Sequence, residues 1–328
     1  MRFDYHLPEE AIAQQPTEPR SAARLLVDLD AARPPRHATV ADLPGLLEPG
    51  DVLVVNETRV LPARLGLRKP TGGAAEVLLL EREPAGTWTA LVRPGRRLAP
   101  GTTLVAADGT PVVRVGPPVD GDGTRRVELL ADPADHGTVP LPPYIREPLA
   151  DPGRYQTVYA RTDGSVAAPT AGLHLTTEVL DALRLNDVAV HTVDLAVGLG
   201  TFRPLAGDRL DDHRMHEERY AVPAATLEAC RAAAGRVVAV GTTTLRALES
   251  AARPGGTLEG RTDLFIRPGF DFRVVDVLMT NFHQPRSTLL VLLSAFAGDE
   301  RWRARYAEAL AEGYRFLSFG DAMLVSRA

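Results

Sequence analysis

Residues from about 66 to 148 differ in texture from everything around them. Only short β-type runs occur there (76–80, 88–92, 111–115 and 126–130), separated by Gly and Pro turns that include Asp108-Gly109. No convincing amphipathic helix interrupts them. Before this stretch, the apolar run 51–55 follows the turn signal Pro49-Gly50 and ends at Asn56, which reads as a buried strand. After Tyr155, helix-like and strand-like segments alternate: helices over 177–186, 224–234 and 243–252, strands over 188–197, 236–240 and 272–279. Ser287 is placed to cap a buried helix running to Phe296, and 300–312 has amphipathic spacing. A chain that changes period in this way folds most simply as an α/β domain, residues 1–65 plus 150–328, interrupted by a small all-β domain, residues 66–149. The inserted domain should be a barrel or a sandwich.

With 328 residues and a hydrophobic share of 45%, the chain is long enough for a large core and too apolar for disorder. The N-terminal Met1-Arg2-Phe3-Asp4-Tyr5-His6 lacks a signal-peptide core, and the apolar stretch 289–297 is far shorter than the roughly 20 residues a bilayer needs. A cytoplasmic protein is expected. Cys230 is the only cysteine, which excludes an intrachain disulfide and a Cys-rich zinc or iron–sulfur site. A formal charge of -5 argues against a non-specific nucleic-acid coat. Lys69 is the only lysine, and the cations cluster at Arg64/Arg68/Lys69 and Arg93/Arg96/Arg97. These read either as solvated turns or as an edge that grips phosphate bidentately. No coiled coil or large apolar face is evident, so a monomer is the default.

Five loops carry the polar chemistry. Val166-Ala167-Ala168-Pro169-Thr170-Ala171-Gly172-Leu173-His174 combines a stiffening proline, a glycine that permits close approach of a ligand, and an imidazole that titrates near neutral pH. Loops 54–65, 213–218, 241–249 and 280–290 similarly mount Asn, Arg, His, Glu or Thr on apolar scaffolds. Gly241-Thr242-Thr243-Thr244 opens a helix, either as an ordinary threonine cap or as N–H groups that receive a carboxylate. Val197-Gly198-Leu199-Gly200-Thr201-Phe202 lacks the third glycine of a dinucleotide fingerprint and reads as a tight turn. His213 and His216, with Glu217 and with His174 or His283 from elsewhere, would suit a catalytic zinc, although no His-Glu-x-x-His helix is present. An organic ligand is the stronger expectation, and no metal is assigned.

In this order the motifs resemble one family, the S-adenosylmethionine:tRNA ribosyltransferase-isomerases of queuosine biosynthesis. The matching strings include Val54-Val55-Asn56-Glu57-Thr58-Arg59-Val60, Val92-Arg93-Pro94-Gly95, the 164–174 loop, 198–204, Met215-His216-Glu217-Glu218, 241–250, 280–290 and Phe319-Gly320-Asp321-Ala322-Met323. The likeness covers almost the whole chain. It implies an α/β domain shaped as a flattened barrel with a smaller all-β barrel domain inserted. It also implies a reaction: the ribosyl part of S-adenosylmethionine moves onto a 7-aminomethyl-7-deazaguanine base in the tRNA anticodon loop and is rearranged, giving epoxyqueuosine. Adenine and methionine leave. S-adenosylmethionine is consumed as co-substrate, and no separate cofactor or obligate protein partner is implied.

That chemistry sets the residue types required. The sulfonium acidifies the C5′ hydrogens, adenine needs a proton or hydrogen bond to depart, and the attacking amine must be neutral. On this resemblance His174, Glu217, His216 and His283 are the acid–base candidates. Asn281, Thr242, Thr243 and Arg246 are candidates for holding the donor, Arg59 and Arg93 for gripping tRNA phosphate or the donor carboxylate, and Asn56, Pro169, Thr170, Gly198 and Gly200 for binding substrate. Two positions depart from the family pattern: Ala196 stands where histidine is usual, and Arg267 where tyrosine is usual. They keep open a paralogue with the same donor and another acceptor. A non-catalytic RNA-binding module and a metal-dependent hydrolase are the readings from other classes.

Overall fold

A computed structural model describes residues 3–83, 85–95, 98–119, 123–198, 205, 210, 213 and 215–328. The chain separates into two compact units, one of Met1–Thr58, Pro142–Thr162 and Ala168–Ala328, the other of Arg59–Leu141 and Asp163–Ala167. These boundaries fall several residues earlier than the 65/66 and 149/150 junctions expected from texture.

The first unit is built on a nine-stranded mixed sheet. Its heart is four parallel strands in the order Ala189–Leu195, Val52–Asn56, Val237–Val240 and Val277–Asn281. Every residue of Val52–Asn56, Val237–Val240 and Val277–Asn281 is buried, the pattern of strands covered on both faces. Alternate residues, such as Leu53 with Val55 and Val238 with Val240, join one apolar cluster with Val179, Leu180 and Leu183 of the Thr177–Leu185 helix. The Thr242–Ala252 helix packs on Ala189–Leu195, Val52–Asn56 and Val237–Val240. Beyond Val277–Asn281 the sheet continues through antiparallel Ala322–Ser326, then Arg24–Asp28 and Arg36–Thr39. At the opposite edge stand the antiparallel strands Glu218–Ala221 and Glu259–Thr262.

The expected 272–279 strand starts late, at Val277. The reason is Glu249, a buried carboxylate that accepts from the backbone N–H groups of Arg273, Val274 and Val275 at 2.9, 3.0 and 3.0 Å. Those donors are therefore unavailable to a sheet ladder. Ser287 does cap the Thr288–Ala297 helix, its side chain accepting from the N–H of Leu290 at 3.3 Å.

The second unit is a closed antiparallel barrel. Arg64–Arg68, Ala74–Arg82, Trp88–Arg93, Thr124–Leu129, Pro111–Pro118 and Thr103–Val105 pair in that order, and Arg68 opposite Val105 closes the ring. Gly137–Thr138 adds a short flank to Arg64–Arg68, and the four-residue Pro133–His136 helix precedes it. Leu65, Val77, Leu79, Ala90, Val92, Leu104, Val113 and Val127 fill the interior. Among the described residues of the chain, no helix is long and apolar enough to cross a membrane.

Candidate functional site

Four parallel strands deliver Asn56, Leu195, Val240 and Asn281 to one edge of the sheet, the carboxyl edge at which open α/β sheets bind ligands. A cleft lies there, with an empty volume, open solvent included, of about 660 Å³. Its lining combines the 168–171 loop, Gly241 to Thr243, Thr280 to Gln284, and Tyr144 with Ser318. The side chains of Thr280 and Asn281, consecutive on one strand, leave opposite faces of the sheet, so both can border a cleft at its end.

Gly241 makes the turn from strand to helix with φ +90° and ψ 149°, a region essentially closed to other residues. Its N–H donates to Met279 O at 2.8 Å. No side chain caps the Thr242–Ala252 helix, so the backbone N–H groups of its first turn carry the helix's positive end into the cleft.

Pro169, Thr170 and Asn281 line the cleft together. The hydroxyl of Thr170 lies 2.9 Å from Asn281 Oδ1, and Asn281 Nδ2 lies 3.1 Å from His174 Nε2. His174 itself is buried behind Asn281, against a small crevice bordered by Arg20 and Arg154. Burial first, and then the charges of Arg315, Arg154 and Arg20, push its pKa down to about 3, so its imidazole is neutral at neutral pH. Gly172 serves packing here, not ligand approach: a Cβ at that position would run into Tyr159 Oη.

His283 is the one of the four acid–base candidates that borders the cleft. Its Nε2 lies 2.9 Å from Thr280 Oγ1. Two tyrosines clamp its main chain, Tyr306 Oη accepting from the N–H at 2.8 Å and the Tyr5 hydroxyl donating to the carbonyl at 2.6 Å. Burial lowers its pKa to about 3 as well. Tyr144, hydrogen-bonded to Ser318 at 2.7 Å, is pushed up to about 12 by burial and stays protonated.

Asn56 spends its amide inside the protein. Oδ1 accepts from Leu195 N–H and Thr58 N–H, while Nδ2 donates to Leu195 O and to Thr243 Oγ1. The residue is fully buried and steadies Thr243, which borders the cleft. Arg246 is likewise internal: it forms a buried ion pair with Glu218, whose Oε1 accepts from Gly198 N–H at 2.9 Å. Glu217 faces outward, paired with Arg261 at 2.9 Å, and His216 is exposed. His213 packs its ring 5.3 Å from Phe265, and burial, then His216, lowers its pKa. Among the described residues, no group of three or more His, Cys, Asp or Glu side chains comes together as a metal site.

Arg59 and Arg93 are exposed residues of the barrel unit, Arg59 lying 3.6 Å from Asp163. Gly200, with the rest of residues 199–204, and Arg96 and Arg97 lie outside the described residues. The sequence reading missed Tyr144, Thr280 and Ser318 as lining residues and Glu218 as the buried carboxylate. Thr280 sits inside a string already singled out, whereas nothing near Tyr144 in the sequence connects it to the 280–290 loop.

The queuosine biosynthesis protein family matches residues 1–325. An S-adenosylmethionine:tRNA ribosyltransferase-isomerase of Symbiobacterium thermophilum is 52% identical over 336 residues, covering 98% of each chain. One of Thermus thermophilus is 52% identical over 341 residues, again covering 98% of each. The crystal structure of an S-adenosylmethionine tRNA ribosyltransferase from Thermotoga maritima is 39% identical, covers 99% of this chain and 100% of its own, and superposes with a TM-score of 0.57. Matched from end to end by these enzymes and by the family as a whole, this chain belongs to the queuosine biosynthesis protein family, that of the S-adenosylmethionine:tRNA ribosyltransferase-isomerases.

Proposed function

We propose that the chain transfers the ribosyl moiety of S-adenosylmethionine to the 7-aminomethyl-7-deazaguanine base of a tRNA anticodon stem-loop and isomerises it, giving epoxyqueuosine-tRNA. The donor's C5′–S bond and its glycosidic bond break, releasing methionine and adenine, while the aminomethyl nitrogen bonds to the rearranged sugar. The observation that carries this reading is the cleft at the carboxyl ends of the parallel strands, in a chain half identical to enzymes of that name.

On this reading the donor occupies the cleft. Thr170, Thr280 and Asn281 supply hydrogen bonds to its nucleoside, and the uncapped first turn at Thr242 and Thr243 receives its carboxylate. His283 takes the acid–base role before His174, Glu217 or His216, because it borders the same space. A neutral imidazole can donate a hydrogen bond to departing adenine through one nitrogen while the other stays with Thr280. Arg59 and Arg93 hold RNA phosphate. The donor is a co-substrate, and the reading calls for no further cofactor.

The test is to incubate the protein with S-adenosylmethionine and an anticodon stem-loop carrying the 7-aminomethyl-7-deazaguanine base, following adenine and RNA mass together. Stoichiometric adenine release with the matching gain of a rearranged ribosyl is expected. Donor binding with neither product would overturn the acceptor assignment and direct attention to Ala196, whose neighbour Val197 borders the cleft, and to Arg267.

A further inference from the structure

Thr170 and His174 are joined through one amide. Asn281 Nδ2 lies 3.1 Å from His174 Nε2, and 3.5 and 3.4 Å from the carbonyl oxygens of Gly320 and Asp321. Carbonyl oxygens only accept, so the nitrogen end of the amide faces them and Oδ1 turns toward Thr170. The reverse orientation would set Oδ1 against both carbonyls. With Nδ2 as the donor, His174 Nε2 is the acceptor, and the ring proton sits on Nδ1. Oδ1 has no proton to give, so the Thr170 hydroxyl donates to it across 2.9 Å. A hydroxyl carries one proton. With that proton committed, Thr170 offers the cleft only lone pairs.

We propose that Thr170 is a specificity-determining residue that accepts one hydrogen bond from the bound donor, and that His174 is a positioning residue which keeps it an acceptor through Asn281. The inference rests on the cleft being the site of the S-adenosylmethionine donor. The recognised group is an N–H or O–H: the adenine amino group, a ribose hydroxyl or the amino-acid ammonium. A ligand bearing only lone pairs at that point would set two acceptors against each other and be rejected. His174 makes the shortest of the three contacts to Nδ2, so its loss frees the amide to tilt away from Thr170. Its buried, neutral ring fits this duty, since an acceptor must hold a lone pair at Nε2.

The experiment is a calorimetric titration with S-adenosylhomocysteine and four analogues, each lacking one donor: the adenine amino group, the 2′-hydroxyl, the 3′-hydroxyl or the ammonium. In the unmodified protein one analogue should bind about tenfold more weakly than the parent, the size of a single hydrogen bond. Thr170→Val should bind the parent about tenfold more weakly and treat that analogue and the parent alike. Thr170→Ser should restore the discrimination. His174→Gln, whose amide oxygen can stand at Nε2, should keep both the discrimination and kcat within about threefold, whereas a proton-transfer residue would lose ~10²–10⁴. His174→Leu should resemble Thr170→Val. Should the Val or Leu variants not fold, Thr170→Ala, which also removes the hydroxyl, and His174→Gln still decide. Unaltered discrimination in Thr170→Val, or a hundredfold fall in kcat in His174→Gln, would overturn the inference alone. Failure of the unmodified protein to bind S-adenosylhomocysteine would overturn the donor site and the inference with it.

Discussion

His174 and His283 sit inside the protein as neutral rings, and that gives stability a pH dependence. Unfolded, each titrates near 6.5, whereas folded each has a pKa pushed down to about 3. Below pH 6.5 the unfolded chain binds protons that the folded chain refuses, so stability falls as the pH drops from 6.5 toward 3 and is indifferent to these groups above about 7. At pH 5 the loss is roughly 2 kcal/mol for each ring. Urea unfolding at pH 7 and pH 5 should show His174→Gln losing about 2 kcal/mol less than the unmodified protein. An equal loss would mean that His174 is protonated in the folded state. The loop holding His174 was legible from the sequence because its composition is unusual. Its position behind Asn281 was not, since nothing local shows which neighbour a buried ring will meet. Glu217 and Glu218 make the same point: Glu218–Ala221 alternates buried and exposed residues, turning Glu218 inward to Arg246 and Glu217 outward to Arg261. The strand is too short and too charged to display that alternation as hydrophobicity.

Elements were legible where their period was strong and their hydrogen bonds were their own. The Thr177–Leu185, Ala224–Arg231 and Thr242–Ala252 helices fall within two or three residues of the segments read from spacing. The 272–279 segment has strand-like composition, yet its first N–H groups go to Glu249, a long-range choice that local sequence does not record. Arg64–Arg68 and Thr103–Val105 were missed for other reasons: one carries glycine and two arginines, and the other is only 3 residues long. At the strand–helix junction most relevant to function, Gly241→Ala isolates backbone geometry. A Cβ there would have ordinary contacts, 3.6 Å to Thr243 Oγ1 and 3.8 Å to Ala171 Cβ, so φ +90° is the whole penalty. The expected cost is about 1–3 kcal/mol in denaturant unfolding. Because the turn also aims the first N–H groups of the helix, S-adenosylhomocysteine affinity should fall too. A stability loss with unchanged affinity would remove the helix terminus from the ligand site.

The molecule is two units, and the barrel unit carries its own reasons to fold. Its six strands close on themselves, leaving no long free edge for another chain to pair with. Its interior is apolar, and Arg125, the one buried arginine among the unit's described residues, donates hydrogen bonds to the carbonyls of Gly95, Leu98 and Gly116 within the same unit. Residues 59–141 expressed alone should therefore show β-type circular dichroism and a single cooperative transition, with ~4–12 kcal/mol of stability for a domain of this length. A broad transition, with strong binding of a hydrophobic dye, would instead mean that the barrel core is incomplete without the remainder of the chain. The ring's closure also predicts where it opens. Ala74–Arg82 and Trp88–Arg93 share a long ladder, whereas Thr103–Val105 meets Arg64–Arg68 in one residue pair, Arg68 with Val105. Local opening costs least where the fewest contacts must break, so amide exchange in the fragment should be fastest at that seam and slowest at Val77, Leu79 and Val92. Uniform exchange along all six strands would show that the barrel opens only as a whole, with the seam as strong as the ladders that flank it.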